Sequence, residues 1–179
     1  MIKKFYTSLF FSRRFYWCLV GIILLFVCAY GLPFLFNIAR IMFLFLVLAV
    51  LADYLFLFNR SQPVTLSREL PDQLSNGDQN MVTLQITNHY PFDVQAGIID
   101  ELPDQLQVRN FFLRTALKPG QTERLVYQVR PTERGEYLFH RINVFLKTPL
   151  GLVVRRKIID AEKKIRVLPS YLQLKRFEL

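Results

Sequence analysis

The chain has 179 residues, of which 52% are hydrophobic and 15% aromatic, yet 23 Lys and Arg outnumber 14 Asp and Glu for a net charge of +9. A total of 17 Phe and 8 Tyr excludes a disordered or low-complexity chain, and the length excludes a large multidomain enzyme. An apolar and basic average of this kind indicates two regions of different character.

The first sixty residues contain two apolar stretches. Residues 15–39 carry no charge, and residues 41–58 carry only Asp53. An 18-residue helix is about 27 Å long, close to the roughly 30 Å hydrocarbon core of a bilayer. The pattern therefore predicts a two-helix transmembrane hairpin over residues 1–60, with helices at about 15–32 and 41–58.

A cleaved signal peptide is the alternative for the first stretch, because Lys3, Lys4, Arg13 and Arg14 precede it. No small-x-small cleavage site follows the run, and a second apolar stretch has no place in a signal peptide. These two points favour the membrane hairpin.

Basic residues also predict the orientation of the hairpin, since they remain on the cytoplasmic side. Four precede the first helix, while Arg60 and Arg68 follow the second. Tyr16, Trp17 and Tyr54 would lie at the same interface. We therefore expect a multi-pass protein of the bacterial cytoplasmic (inner) membrane with both termini in the cytoplasm.

From residue 61 onwards, apolar residues recur with period two, as in Val82, Leu84 and Ile86, and turn sequences separate the runs. The pattern predicts an all-β, immunoglobulin-like antiparallel sandwich over residues 61–170, without the Cys-Trp-Cys hallmark of antibody domains. The strands are predicted at 63–70, 81–87, 94–100, 111–117, 124–130, 135–146, 150–159 and 164–168.

The longest of these strands has an ambiguous inner face. Tyr137 and Phe139 have one parity, whereas Ile142 and Val144 have the other. Either the even-numbered face is the core throughout, or a bulge near His140 switches faces.

Residues for catalysis are sparse. Cys18, Cys28, His89 and His140 have no partners at metal-ligand spacing, and no nucleophile elbow, P-loop, zinc-protease or dinucleotide-binding motif is present. We therefore predict no enzyme activity, no cofactor or metal, and no small-molecule substrate.

Asp53 is the ionisable residue within the second predicted span, and such a residue can belong to a proton path. It lies close to the end of that span, where a charge costs less than at the bilayer centre. A structural role is favoured, in which Asp53 snorkels or pairs with Arg13, Arg14 or Arg60.

A basic cluster near the end of the chain is the candidate membrane or partner contact. It is a solvated strand edge that discourages aggregation, or it binds anionic lipid headgroups or a protein. Nucleic acid is disfavoured because no aromatic stacking platform accompanies the charges. The cluster comprises Arg155, Arg156, Lys157, Lys163, Lys164 and Arg166.

Short motifs in a fixed order give the chain a family resemblance. They are Arg-Glu-Leu-Pro at 68–71, Leu-Ser-Asn-Gly-Asp at 74–78, Arg-Gly-Glu-Tyr at 134–137, Thr-Pro-Leu-Gly-Leu at 148–152 and Val-Leu-Pro at 167–169. In this order the chain resembles the N-terminal half of the bacterial membrane proteins classed as domain of unknown function fifty-eight.

The resemblance implies a von Willebrand factor A-like domain after the sandwich and a MoxR-type AAA+ ATPase as partner. The chain departs from that pattern because it stops at Leu179 and holds no Asp-x-Ser-x-Ser metal motif. Residues 171–179 are expected to be a tail, the start of a missing or lost following domain. A shortened family member and a sequence cut short both remain open.

Together these observations predict a membrane-anchored, non-enzymatic interaction module. Its expected partners are the lipid bilayer and a protein, either a MoxR-type ATPase or an envelope-assembly system, and not nucleic acid. The alternative is a small subunit or regulatory piece of a membrane enzyme or transporter.

Overall fold

The computed structural model describes residues 8–108 and 111–169. Lys3, Lys4 and the predicted tail at 171–179 lie outside these ranges. A short strand β1 (Leu9–Phe11) precedes two helices, α1 (Arg13–Ala29) and α2 (Phe34–Phe58). The strands that follow are β2 (Val64–Glu69), β3 (Gln73–Ser75), β4 (Asn80–Asn88), β5 (Val94–Asp100), β6 (Leu113–Leu117), β7 (Thr122–Val129), β8 (Gly135–Phe139), β9 (Ile142–Lys147), β10 (Val153–Ile159) and β11 (Lys163–Leu168).

The strands form three sheets around one hydrophobic core. The largest has the order β1-β10-β9-β5-β6, and the other two have the orders β2-β4-β7 and β3-β11-β8. All of these pairs are antiparallel except β3 with β11. Buried residues alternate with partly buried or exposed ones along β4 and β5, as a sheet with one face towards the core requires. The all-β, sandwich-like architecture predicted from the sequence is confirmed.

The ambiguous strand is two strands that belong to different sheets. Tyr137 and Phe139 are buried in β8, and Ile142 and Val144 are buried in β9, so the inward parity changes between them. The backbone N–H of His140 donates to the carbonyl of Glu101 at 3.0 Å, which holds the chain at the crossover. The inward face therefore switches near His140, as the second alternative expected, but the cause is a change of sheet and not a bulge within one strand.

The helix boundaries differ from the predicted ones. α1 begins at Arg13 and ends at Ala29, and α2 begins at Phe34, seven residues before its predicted start. Asn37 and Arg40 lie within α2 because their helix-compatible backbones continue the i to i−4 hydrogen bonds, and Arg40 remains exposed.

Of the two helices, α2 with 25 residues is long and apolar enough to cross a membrane, whereas α1 has only 17 residues. The helical hairpin is present, but the prediction of two full-length spans is supported for only one helix. Two short strands, β1 and β3, were not predicted, since three residues carry too little alternation to identify a strand.

Candidate functional site at the hairpin junction

Asp53 joins the hairpin to the sandwich. Its carboxylate lies in α2 and is 1% exposed. The backbone N–H groups of Leu152 and Val153 donate to Oδ2 at 2.8 and 2.7 Å, and the Thr148 hydroxyl donates to Oδ1. Asp53 therefore links α2 to the turn between β9 and β10 and to the first residue of β10, and these donors stand in place of the predicted partners Arg13, Arg14 and Arg60.

The same turn is held from the other side by the start of α1. The backbone N–H of Ser12 donates to the carbonyl of Leu152 at 2.9 Å, and its hydroxyl donates to the carbonyl of Gly151. Arg14 Nη1 donates to the carbonyl of Pro149 at 3.2 Å. Residues at the start of α1 and Asp53 of α2 therefore both form hydrogen bonds with the five-residue turn 148–152. This turn carries the Thr-Pro-Leu-Gly-Leu motif noted in the sequence.

Gly151 is required at this turn by its conformation. Its φ is +65°, in the left-handed region that side chains with a Cβ rarely adopt, and an added Cβ would lie 3.2 Å from Arg14 Nη1. The glycine lets the turn present its backbone N–H groups to Asp53 while Arg14 passes over it.

The C-terminal end of α2 is capped by the sandwich. Arg155 Nη1 donates to the carbonyl oxygens of Leu57 and Arg60 at 2.6 and 2.7 Å, and its guanidinium lies 4.9 Å from the ring centre of Phe58. The Tyr90 hydroxyl also donates to the carbonyl of Leu57. A cation at this end of a helix is stabilised by the helix dipole and satisfies carbonyls that lack intrahelical partners.

The basic cluster divides into two halves with different roles. Arg155, Arg156 and Lys157 are all partly buried in β10. Arg156 donates to Asn143 Oδ1 at 2.7 Å, and Lys157 Nζ donates to the carbonyl of Val64 at 2.8 Å. Burial, followed by the neighbouring charge of Arg155, lowers the pKa of Lys157. This half of the cluster packs against the protein instead of forming a free contact surface.

The second half of the cluster lies on β11 and is exposed. Lys163, Lys164 and Arg166 all face solvent, and Arg166 Nε lies 3.5 Å from Glu136 Oε1 in an exposed ion pair. β11 pairs with β8 from Lys163 to Val167, but with β3 only from Arg166 to Leu168. The solvated interpretation fits all three residues. Within the described residues, Lys163 and Lys164 pair with β8 alone, as a solvated strand edge requires, whereas Arg166 is paired on both sides.

A buried ion pair that the sequence did not reveal lies in the sandwich core. Arg68 Nη1 donates to Asp100 Oδ1, with side chains 1% and 0% exposed, and the Tyr127 hydroxyl donates to Asp100 Oδ2 at 2.6 Å. Burial raises the pKa of Asp100, while Arg68 and the Tyr127 hydroxyl act against that shift. Arg68 was expected among the orientation signals beside the membrane, yet in the folded chain its charge is neutralised inside the sandwich.

The isolated histidines and cysteines stay apart in the fold. His89 Nε2 lies 2.7 Å from the Thr65 hydroxyl, and Cys18 and Cys28 are both exposed on α1. Within residues 8–108 and 111–169, no group of three His, Cys, Asp or Glu side chains could hold a metal ion.

Comparison with known proteins gives structural neighbours but no family. No family model and no curated protein matches the chain. A CARDB domain from Pyrococcus furiosus, solved in complex with di-metal ions, matches 59% of this chain and 87% of its own, at 15% identity and a TM-score of 0.38. The PapD-like domain 7 of human CEP192 covers 60% of this chain and 87% of its own, at 12% identity and a TM-score of 0.43.

A third neighbour is Escherichia coli alpha-2-macroglobulin from domain MG7 to the C-terminus, matched over 60% of this chain and 17% of that protein at 24% identity and a TM-score of 0.44. No family model matches the chain, so the resemblance to domain of unknown function fifty-eight, with the von Willebrand factor A-like domain that it implied, is wrong. The MoxR-type ATPase was implied by that resemblance and loses its support with it.

Proposed function

We propose that the chain is a membrane-anchored, non-enzymatic interaction module. The hairpin inserts into the bacterial cytoplasmic membrane and holds the sandwich at its cytoplasmic face, with both termini in the cytoplasm. The sandwich then offers its exposed faces and loops to a protein partner.

The observation that carries the anchor is the apolar surface of α2. Its buried residues are Ala39, Leu46, Asp53 and Leu57, with the first three seven positions apart, so that only a narrow stripe of the helix is covered. The remaining faces expose large apolar side chains, and Phe45 is 72% exposed. Because each Å² of apolar surface left in water costs about 25 cal/mol, a bilayer is the environment that suits this helix.

α1 completes the hairpin despite its length. At 1.5 Å per residue it spans about 26 Å, slightly less than the roughly 30 Å hydrocarbon core. It exposes apolar side chains such as Ile23 and Val27, and the connection to α2 adds Tyr30, which is 97% exposed. A modest local thinning of the bilayer accommodates a helix of this length.

The fold also supports a common side for both ends of the hairpin. β1 pairs with β10 immediately before α1 begins, and α2 ends against Arg155 in that same strand. The chain therefore leaves the sandwich and returns to it at one place. A hairpin with this geometry enters and leaves a membrane on the same side.

The junction indicates a rigid mounting of the sandwich. A flexible tether would leave the polar groups at the helix end to water, whereas here the buried Asp53 carboxylate and the Arg155 guanidinium each bridge helix and sheet. A module held in this way presents the same faces to its partner at a constant height above the membrane.

Thiol labelling in intact cells tests the anchor. In a Cys18→Ser/Cys28→Ser background, a cysteine at Tyr30 should react with a membrane-impermeant maleimide added from outside, and a cysteine at Lys163 should react only after permeabilisation. The chain should also resist carbonate extraction. A protein extracted by carbonate, or a Tyr30→Cys variant that stays unlabelled in intact cells, contradicts the hairpin.

The partner is tested separately by crosslinking in cells followed by mass spectrometry. We expect one or more membrane-associated proteins to be recovered reproducibly through the sandwich. The same crosslinking of a hairpin-only chain, residues 1–60, is the matched control and should not recover them. Failure to recover any protein with the full chain contradicts the interaction role.

A further inference from the structure

An open groove of about 780 Å³ crosses the outer face of the five-stranded sheet. The strand registers place it at the end of the sheet nearest the hairpin. Phe11 pairs with Val153 immediately before α1 begins, Arg155 pairs with Leu146, and Lys147 pairs with Gln95. The groove therefore starts where the chain enters α1 and continues across β10, β9 and β5 to β6.

The walls of the groove are aromatic. Phe10 and Phe112 are each 43% exposed, and Phe145 is partly buried beside Phe10, with ring centres 6.4 Å apart. Gly97 forms part of the floor, and a Cβ there would come within 2.6 Å of the Phe112 ring. The absence of a side chain at Gly97 lets the Phe112 ring lie close to the backbone of β5.

Three cations line the same groove, namely Arg13, Arg114 and Lys147, and none of the lining residues is acidic. The Arg114 guanidinium lies 5.1 Å from the ring centre of Phe112. Within the described part of the chain, none of these three cations forms a salt bridge. The groove therefore combines uncompensated positive charge with exposed aromatic surface.

We propose that this groove binds one phospholipid with an anionic headgroup, taken from the leaflet beside the hairpin. The headgroup phosphate lies at Lys147 on β9, between Arg13 beside β1 at one edge of the sheet and Arg114 on β6 at the other, and the first part of an acyl chain packs on Phe10 and Phe112. This inference rests on the proposed membrane anchor and names a ligand for the anchored sandwich.

Three features favour a lipid over an acidic peptide. The groove begins at the residues that lead into α1, so lipid is present at one of its ends whenever the hairpin is inserted. Its charge matches an anionic headgroup, and its aromatic walls match an apolar chain. A volume of about 780 Å³ also lies within the range of about 300 to 1,000 Å³ typical of small-ligand sites, and it accommodates a headgroup and part of a chain.

Native mass spectrometry of the detergent-solubilised full chain tests the proposal. The protein is incubated with equimolar phosphatidylglycerol and phosphatidylcholine of identical acyl chains. We expect one phosphatidylglycerol retained per chain, with at least a tenfold preference over phosphatidylcholine. The variant Arg114→Glu/Lys147→Glu should lose that preference. The control Arg124→Glu/Lys164→Glu makes the same charge change at exposed residues of β7 and β11 and should keep it.

Equal loss in both double variants would show a general charge effect and overturn the site, as would no preference in the unchanged protein. A polyglutamate peptide gives the remaining outcome. If this peptide binds the unchanged chain, and if the chain without peptide retains no stoichiometric phosphatidylglycerol, the groove would be assigned to an acidic peptide instead.

Carbonate extraction of the Arg114→Glu/Lys147→Glu variant separates the two proposals. A variant that stays in the membrane but retains no phosphatidylglycerol is the expected result. If the unchanged protein is extracted, the anchor fails. If the unchanged protein stays in the membrane without retaining this lipid, only the groove proposal fails.

Discussion

Two buried carboxylates, one at the junction and one in the sandwich core, are held in different ways. Asp53 and Asp100 are 1% and 2% exposed. The partners of Asp53 are two backbone N–H groups and a hydroxyl from one turn. Asp100 instead faces the guanidinium of Arg68 and the hydroxyl of Tyr127.

The difference shows which groups stabilise a buried carboxylate in each region and so offset the cost of burying its charge. In the core, the opposite charge comes from another strand, and removing either partner leaves the other charge buried and unpaired. At the junction, the carboxylate of Asp53 is stabilised by neutral dipoles, namely two neighbouring backbone N–H groups and one hydroxyl. The turn can therefore release the helix without leaving a second charge behind, and we expect the junction to open at a lower free energy than the core unfolds.

The largest expected effect comes from breaking the core pair. Arg68→Met should lower the free energy of unfolding by about 3 to 5 kcal/mol, because Asp100 would remain buried without its cation. Denaturation of the detergent-solubilised chain, followed by circular dichroism of the β-signal, measures this. Arg166→Met is the control, since it removes an exposed pair and should cost less than about 1 kcal/mol. Similar losses in both variants would contradict the assignment.

At the junction, Asp53→Asn should cost about 1 to 3 kcal/mol, because it removes the charge that two backbone N–H groups and a hydroxyl stabilise and leaves only one acceptor oxygen for them. Hydrogen exchange should accelerate at the Leu152 and Val153 amides by tenfold or more, while the amide of Leu84 in the core stays protected. Thr148→Val, which removes one donor and keeps the carboxylate, should have a smaller effect. Equal acceleration at Leu84 would show that junction and core open together.

A smaller effect is expected where the sandwich caps the helix. Arg155→Met should destabilise the last turn of α2 by about 1 to 2 kcal/mol, since it removes a cation from the negative end of the helix dipole. The Asn59 amide, which donates to the carbonyl of Leu55, reports fraying through faster hydrogen exchange. Arg156→Met, one residue along on the opposite face of β10, should leave the exchange of Asn59 unchanged. If the Asn59 amide of Arg155→Met exchanges as slowly as that of the unchanged protein, the capping role of Arg155 is contradicted.

The smallest effect is a pH dependence confined to the core. Because the pKa of Asp100 is raised in the folded chain, mainly by burial, the native state holds more protons than the unfolded state between the two pKa values. The contribution of Asp100 to stability therefore falls as pH rises through that window, by at most about 1.4 kcal/mol per pH unit. Denaturation midpoints of the unchanged chain and of Asp100→Asn, measured across acidic pH, should converge towards low pH. An opposite slope would mean that Arg68 outweighs burial.

Much of the architecture could be predicted from local pattern. The stretch 94–100 was predicted as a strand with the same bounds as β5, and the alternation of Val82, Leu84 and Ile86 correctly identified the buried face of β4. Such periodicity depends only on which side chains face the core. The helical hairpin was likewise visible in the apolar runs, although its ends were displaced by several residues.

The candidate site was much less predictable. Asp53 was singled out because it is charged within an apolar run, but its donors lie 95 to 100 residues away in sequence. Arg155 was grouped with its neighbours as surface charge, although it caps α2 across a separation of 98 residues. No spacing rule relates such positions, and the groove at Gly97 and Phe112 depends in the same way on how separate strands meet.

By itself, the sequence determined where the chain is helical, where it is β, and which faces of most strands are buried. Hydrophobic periodicity and turn chemistry involve residues that are close in sequence, so they can be identified without knowledge of the tertiary structure. Only the tertiary structure decided that β1 adds to the edge of the large sheet, that the chain changes sheets at His140, and that Asp53, Arg68 and Arg155 take partners from distant strands. Buried charges must be satisfied by whatever groups the packing brings near, and that choice is made when the sheets and the hairpin come together.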